Sequence, residues 1–385
     1  MNIFNNLFKK ILVQIIVVSS FSTLVSANNL TVTSTADSGS GTLRELVSIS
    51  VAGDTIDLSP VTGQTIDLNS TLTIDRNLTI IGHGVQITTT QINTSAPLID
   101  ITTGATVNIS DIEFSDINNT ANSTSVTYVI SASTSNPSLN LDNCSFKDND
   151  GILTPVSISS NSSFKIENSS FINNITGSVG ALNVVNAPGK VINTTIANNI
   201  AGSTAGGIYI YGNTVKVENS TIVNNTANHS SLGSGGIRVI NIPNSVLHLK
   251  NSILYGNSGF IGNNLETEGV GAVVSFGNNF ISSTVGTPNF STDSGAIGDI
   301  LNTVTDPLLG TLTKDSDGVT WAYTLIESST LIDSGSCTAI DTTTITIDQF
   351  GNLRNDGSCD IGAIEYIVQP KLTLKAHGGA LQFDG

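Results

Sequence analysis

The sequence has little charge, few aromatic rings and almost no sulfur. Of its 385 residues, 11% are charged and 5% are aromatic, with one Trp and one Met. Fourteen Lys and Arg stand against thirty Asp and Glu, a formal net charge of −16. That balance excludes the basic surface that nucleic acid or anionic headgroups require. It suits solubility and leaves divalent cations and neutral or cationic partners open. Three cysteines, Cys144, Cys337 and Cys359, are too few for a disulfide scaffold, and their odd number leaves at least one free or intermolecular. Cys337 and Cys359 can pair in an oxidising compartment. Cys144 stands alone among repeats and reads as a small buried hydrophobe.

Low charge does not mean disorder here. Hydrophobic residues make up 38% of the chain, and Ser, Thr, Asn, Ile and Val dominate the composition together with 36 glycines. This mixture disfavours helix and suits strands joined by tight turns. No apolar run is long enough to span a bilayer. The one candidate, Ile11 to Val18, falls well short of the roughly 20 residues needed. It follows Lys9 and Lys10 and precedes Val25-Ser26-Ala27, a small-x-small triplet. Residues 1–27 therefore read as a signal peptide, with a mature, exported chain beginning near Asn28.

One phrase recurs along the chain. It appears as LNLDNCSFKDND (139–150), FKIENSSFINNI (164–175), KVINTTIANNI (190–200), VKVENSTIVNNT (215–226) and LHLKNSILYGNS (247–258), with a weaker copy at 107–118. A second phrase falls between copies: GALNVV (180–185), GGIYIY (206–211) and GGIRVI (235–240). Apolar residues alternate, break at Asn, Ser or Gly, and alternate again, as in Val215, Val217 and Ile222. Alternation buries one face of a strand, with Lys216 and Glu218 pointing outward. No helical stripe, leucine-rich pattern or propeller signature is present. The expectation is an all-β, right-handed parallel β-helix with three short strands per coil of about 25 residues. Aligned Asn143, Asn168, Asn193, Asn219 and Asn251 are the candidates for a stacked amide ladder. The Asn-x-Ser/Thr triplets at Asn168, Asn193 and Asn219 are explained by the corner rather than by glycosylation.

The rod needs capped ends. Thr42 can cap a short helix with Glu45 as its capping-box partner, and Leu43, Leu46 and Val47 would face the first coil. The stretch Asp37-Ser38-Gly39, Gly41-Thr42-Leu43-Arg44-Glu45-Leu46 and Ala52-Gly53-Asp54-Thr55-Ile56 resembles the CSLREA segment of bacterial repeat proteins, without its leading cysteine. The resemblance implies a capping role for Arg44 and Glu45. Toward the C-terminus come Asp306-Pro307-Leu308-Leu309-Gly310, Leu331-Ile332-Asp333-Ser334-Gly335, Asp348-Gln349-Phe350-Gly351 and Cys359-Asp360-Ile361-Gly362-Ala363-Ile364-Glu365-Tyr366. This series resembles the choice-of-anchor Q domain, which implies a secreted or surface β-helix protein of bacteria. The expected organisation is 1–27 signal peptide, 28–71 N-terminal cap and first strands, 72–285 repeats, 286–366 C-terminal region and 367–385 tail. That tail shows no apolar span or sorting motif.

A search for chemistry is unproductive at this level. Asp142, Asp148 and Asp150 lie near Lys147 in what reads as a turn. Arg238 and Lys250 sit on neighbouring strands. Asp315-Ser316-Asp317-Gly318 resembles half of a Ca²⁺ loop without its closing glutamate. His83, His229, His248 and His377 have no metal-ligand spacing. Arg354, Asp360 and Glu365 read as a structural ion network in a C-terminal cap. No catalytic residue, cofactor or metal is assigned. The leading expectation is a non-catalytic exported rod, an adhesin or structural element with a carbohydrate or cell-surface ligand. The alternatives are a polysaccharide lyase or glycoside hydrolase of the pectate-lyase-like type, or the remnant of a larger anchored protein.

Overall fold

The computed structural model describes residues 26–90, 95–118, 126–240, 242, 244–354, 358–368, 373–377 and 380–384. The signal-peptide segment therefore lies almost entirely outside the described residues. The chain winds into an all-β, right-handed parallel solenoid of about nine turns. Among the described residues no helix is long and apolar enough to cross a membrane.

Each coil presents three faces. In one coil, Thr214–Glu218 forms the first face, Thr221–Val223 the second, Thr226–Ala227 a short bridge and Ile237–Ile240 the third. Every strand pairs in parallel with its counterpart one coil away. The third face is an eight-stranded sheet running from Leu72–Ile74 to Leu265–Thr267. The first two merge into one nineteen-stranded sheet because Leu78–Thr88 and Thr106–Ser115 continue around the corner. Pairing in register puts like on like. Phe114, Phe146 and Phe171 stack with ring centroids 4.9 and 4.7 Å apart. Gly189 takes its place above Phe164 because a Cβ there would come within 2.3 Å of the ring.

Two corners shape each coil. At the first, Asn143, Asn168, Asn193, Asn219 and Asn251 adopt φ between 46° and 50°. This left-handed conformation is one that Asn tolerates better than most residues. The second corner follows five or six residues later and carries the continuous amide ladder. Asn149, Asn174, Asn199 and Asn225 are each fully buried, and Asn257 nearly so. Their Nδ2 atoms donate to the Oδ1 of the next rung at 2.9, 2.8, 2.8 and 2.9 Å in turn. Each Oδ1 also accepts the backbone N–H of the preceding Asn, and each Nδ2 also donates to a strand carbonyl such as Phe171 O. The expected ladder is thus displaced. Its five members make one amide–amide bond, from Asn193 to Asn168 at 3.3 Å. The reason is direction: the first-corner side chains turn outward, whereas those of the second turn into the coil.

The first strands expected within 28–71 join the stack, and the solenoid continues past residue 285. Strands Asp54–Asp57 and Thr65–Asp67 already pair with Leu78–Thr88, and Phe290–Thr292 and Ile300–Leu301 continue the stack. The helix Leu43–Ile49 (α1) packs at the N-terminal end through buried Leu43, Leu46 and Val47. Thr42 Oγ1 accepts the Glu45 N–H at 3.2 Å, and the Glu45 carboxylate accepts the Gly41 N–H. Arg44 pairs with Asp37 at 2.7 Å and donates to the carbonyls of Ser70 and Thr71, tying α1 to the coil.

The C-terminal region is not an end cap. Residues 303–366 run back along the second face as a strap, starting with the antiparallel pair Leu309–Lys314 and Trp321–Leu325. Outward-facing Ile172, Ala197, Val223, Ile253 and Phe280 pack against Leu325, Leu331 and Ile361 of the strap. The second face is therefore buried on both sides, which accounts for the uncharged strands from Ser170–Ile172 to Phe280–Ile281. First-corner asparagines hold the strap: Asn193 donates to Ile347 O, Asn251 to Asp360 O and Asn278 to Ser334 O. Arg354 is buried and pairs with Glu365 at 2.7 Å, as a network inside the strap. Cys337 and Cys359 form a disulfide with Cα atoms 5.3 Å apart, and Cys144 is free and buried.

The two sets of asparagines should separate by mutation. Asn199→Ala strands the Asn174 amide and the Phe171 carbonyl and should cost about 3 kcal/mol or more. Asn168→Ala should cost about 1 kcal/mol, mainly from the left-handed backbone. Denaturant unfolding of the two variants checks this, and equal losses would contradict the assignment of the ladder.

Candidate functional site

The first face is the broad face that the strap leaves open. Its outward side chains form rows, because in-register pairing places the same repeat position on every rung. One row reads Thr79, Asn108, Asn140, Lys165, Lys190, Lys216 and His248. Neighbouring rungs lie about 4.8 Å apart. The N-terminal half of the row is neutral and linked by hydrogen bonds. Asn140 Nδ2 donates to Asn108 Oδ1 at 2.8 Å, and Asn108 Nδ2 to Thr79 Oγ1 at 3.2 Å. The other half is basic.

Two concavities run along this row and meet at Lys165. One, of 360 Å³, is lined by Thr79, Asn108, Asn140, Asp142, Lys165 and Glu167 among others. The other, of 440 Å³, is lined by Ser163, Phe164, Lys165, Pro188, Gly189, Lys190, Thr214 and Lys216. Together they make a groove parallel to the solenoid axis. Lys165 pairs with Glu167 at 2.6 Å, and Lys190 with Asp341 of the strap at 2.6 Å. Among the described residues Lys216 makes no ion pair. His248 ends the row against Phe276, 4.9 Å between ring centroids. Burial, and then the Lys216 charge, hold its imidazole below the usual range.

A smaller cavity of 210 Å³ opens where the strap meets the first corner. Asp142, Asn143, Asn168, Asp315, Asp317 and Phe350 are among its lining residues. Desolvation, and then the Glu167 and Asp111 charges, push Asp142 upward against the bond from Asn168, although its exposure to water limits the effect. Asp315 is pushed up by burial and by Asp317, whereas hydrogen bonds from Asp315 and Asn143 hold Asp317 down. Asp315 also accepts from the Val319 and Thr320 backbone, so the Asp315–Gly318 stretch is a closed turn. Among the described residues no three His, Cys, Asp or Glu side chains are grouped to hold a metal ion.

Other sequence candidates disperse. Lys147 pairs with Asp148 at the second corner. Arg238 and Lys250 do not meet: Arg238 lies on the third face, bonded to Glu266 at 3.0 Å and Glu268 at 2.7 Å. Glu218 points away from the coil but is not exposed, because the strap covers it. It is fully buried, and one carboxylate oxygen accepts the Ile340 N–H at 2.6 Å while Oε1 has no partner. Sequence reasoning missed the lysine row. The signal was present: Lys165, Lys190 and Lys216 hold one position in FKIE, GKVI and VKVE.

No family model matches the chain, and no curated protein sequence matches it. Among solved structures, the pectate lyase Pel9A superposes with a TM-score of 0.53. The match covers 89% of this chain and 98% of that one at 16% identity. At this identity the likeness establishes the parallel β-helix fold alone.

Burial raises the Glu218 pKa above its ordinary value of 4.5, so the folded state favours the neutral acid. The contribution of that acid to stability is fully present below its unfolded pKa and is lost as pH rises through the folded one. Glu218→Gln should therefore melt higher than the parent at about pH 8, with the difference vanishing near about pH 4. A pH-independent difference in thermal midpoint would contradict a Glu218 pKa raised by burial.

Proposed function

We propose that the chain is an exported, non-catalytic β-helix rod that holds an extended carbohydrate chain along the groove of its first face. The observation that carries this reading is the groove itself. It runs across successive rungs, and its lining side chains repeat at the spacing of the rungs. A linear polymer of similar units suits such a surface better than a compact small molecule, for which pockets are enclosed. The Asn108–Asn140 amides offer donors and acceptors to hydroxyl groups. Exposed Pro188 and the stems of the flanking lysines offer apolar surface to the flat side of sugar rings. The carboxylates beside the groove are occupied: Asp142 by Asn168 at 2.8 Å and Glu167 by Lys165. The export signal at 1–27 and the resemblances at 37–56 and 306–366 support a secreted or cell-surface location in a bacterium.

A second reading rests on the cavity beside the strap. There Asp142 is pushed up and Asp317 held down, a divergence that suits an acid and a base in glycan cleavage. The pectate lyase likeness is compatible with either reading.

One experiment separates them. Residues 28–385 are incubated with a panel of neutral and acidic polysaccharides, and both retention and new chain ends are measured. The rod reading expects retention of at least one polymer without new ends. New ends that disappear in Asp142→Asn would replace it with the enzyme reading, and no retention across the panel would refute the glycan rod.

A further inference from the structure

We infer that the basic half of the groove is a site for an anionic glycan, one carrying a carboxylate on each of several consecutive sugars. This rests on the reading above that an extended glycan occupies the first face.

The protein has more than twice as many acids as bases, yet three of its lysines fall on consecutive rungs of one row. Folding does not favour that arrangement. Like charges on directly paired strands repel, and the cost recurs at each step of the row. Nearby carboxylates offset only part of it. Glu167 engages Lys165 and Asp341 engages Lys190, while Lys216 makes no ion pair among the described residues. Lysine stems can lie along apolar surface while their ammonium groups stay in water, and Phe164, Pro188 and Gly189 line the same concavity. The result is a shallow apolar channel edged by three lysines on successive rungs about 4.8 Å apart.

A pyranose ring in an extended chain advances by about one such step. A uronate polymer presents a carboxylate per sugar and an apolar ring face between them, which matches both features at once. A neutral glycan would leave the ammonium groups unanswered. The row also has a polarity, with charge toward Lys216 and amides toward Asn108, so a bound chain has one preferred direction.

The test uses the 28–385 protein and four probes: hexagalacturonate, hexamannuronate and the carboxyl-reduced, neutral form of each. Calorimetry should show at least one acidic hexamer binding about tenfold or more tightly than its reduced form, with the advantage shrinking in salt. Lys216→Gln should weaken that binding about threefold, and Lys165, Lys190 and Lys216 all changed to Gln about thirtyfold. Lys216→Arg should retain it, which separates charge from packing, and thermal midpoints confirm that the variants are folded. If an acidic hexamer and its reduced form bind equally, the charge assignment falls and the glycan groove stands. If none of the four binds, the assignment falls, and the polysaccharide panel decides the groove separately. Unchanged binding by the triple variant would place charge recognition elsewhere and also overturn it.

Discussion

In-register parallel pairing between successive coils is the constraint on which everything else depends. A residue at one repeat position sits directly above its counterpart, about 4.8 Å away. Interior positions become columns of Ile, Val, Leu and Phe, including the Phe114–Phe146–Phe171 stack. Polar positions that turn inward must bond along the axis, because nothing else within reach can satisfy them. The Asn149–Asn257 ladder does this with both ends of each amide. An unsatisfied buried amide costs enough that the ladder also locks the register.

The same constraint shapes the surface. On the second face it produces rows of small and apolar outward side chains, and the strap covers them. On the first face it produces the lysine row and the groove. The strap and the groove are connected through Asp341 and Lys190 and through Glu218, which lies between them. Covering the second face thus leaves the first as a long, regular surface on which a linear ligand can lie.

The repeats made the solenoid legible because Asn and Gly corners interrupt period-two alternation at regular steps. They did not show which corner turns its amide inward. Both corners use Asn, and phrases such as Ala197-Asn198-Asn199 place a left-handed Asn beside a buried one. Only the direction of the side chain tells them apart. The strap was legible as a sequence unit but not in its position. Its partners mix Ser170, Thr195 and Thr221 with Ile172, Ala197, Val223, Ile253 and Phe280, in strands too short to show which side chains turn outward, and Glu218 read as exposed because nothing in its own strand shows the strap. The lysine row was visible as three aligned letters, but its meaning needed the groove between them.

A crystal structure of the protein with a bound acidic hexasaccharide tests the central claim most directly. The sugar chain should run across the rungs of the first face, with its carboxylates at Lys165, Lys190 and Lys216. A chain lying along a single rung, or seated in the cavity beside Asp142 and Asp317 instead, would contradict a function built on axial repetition.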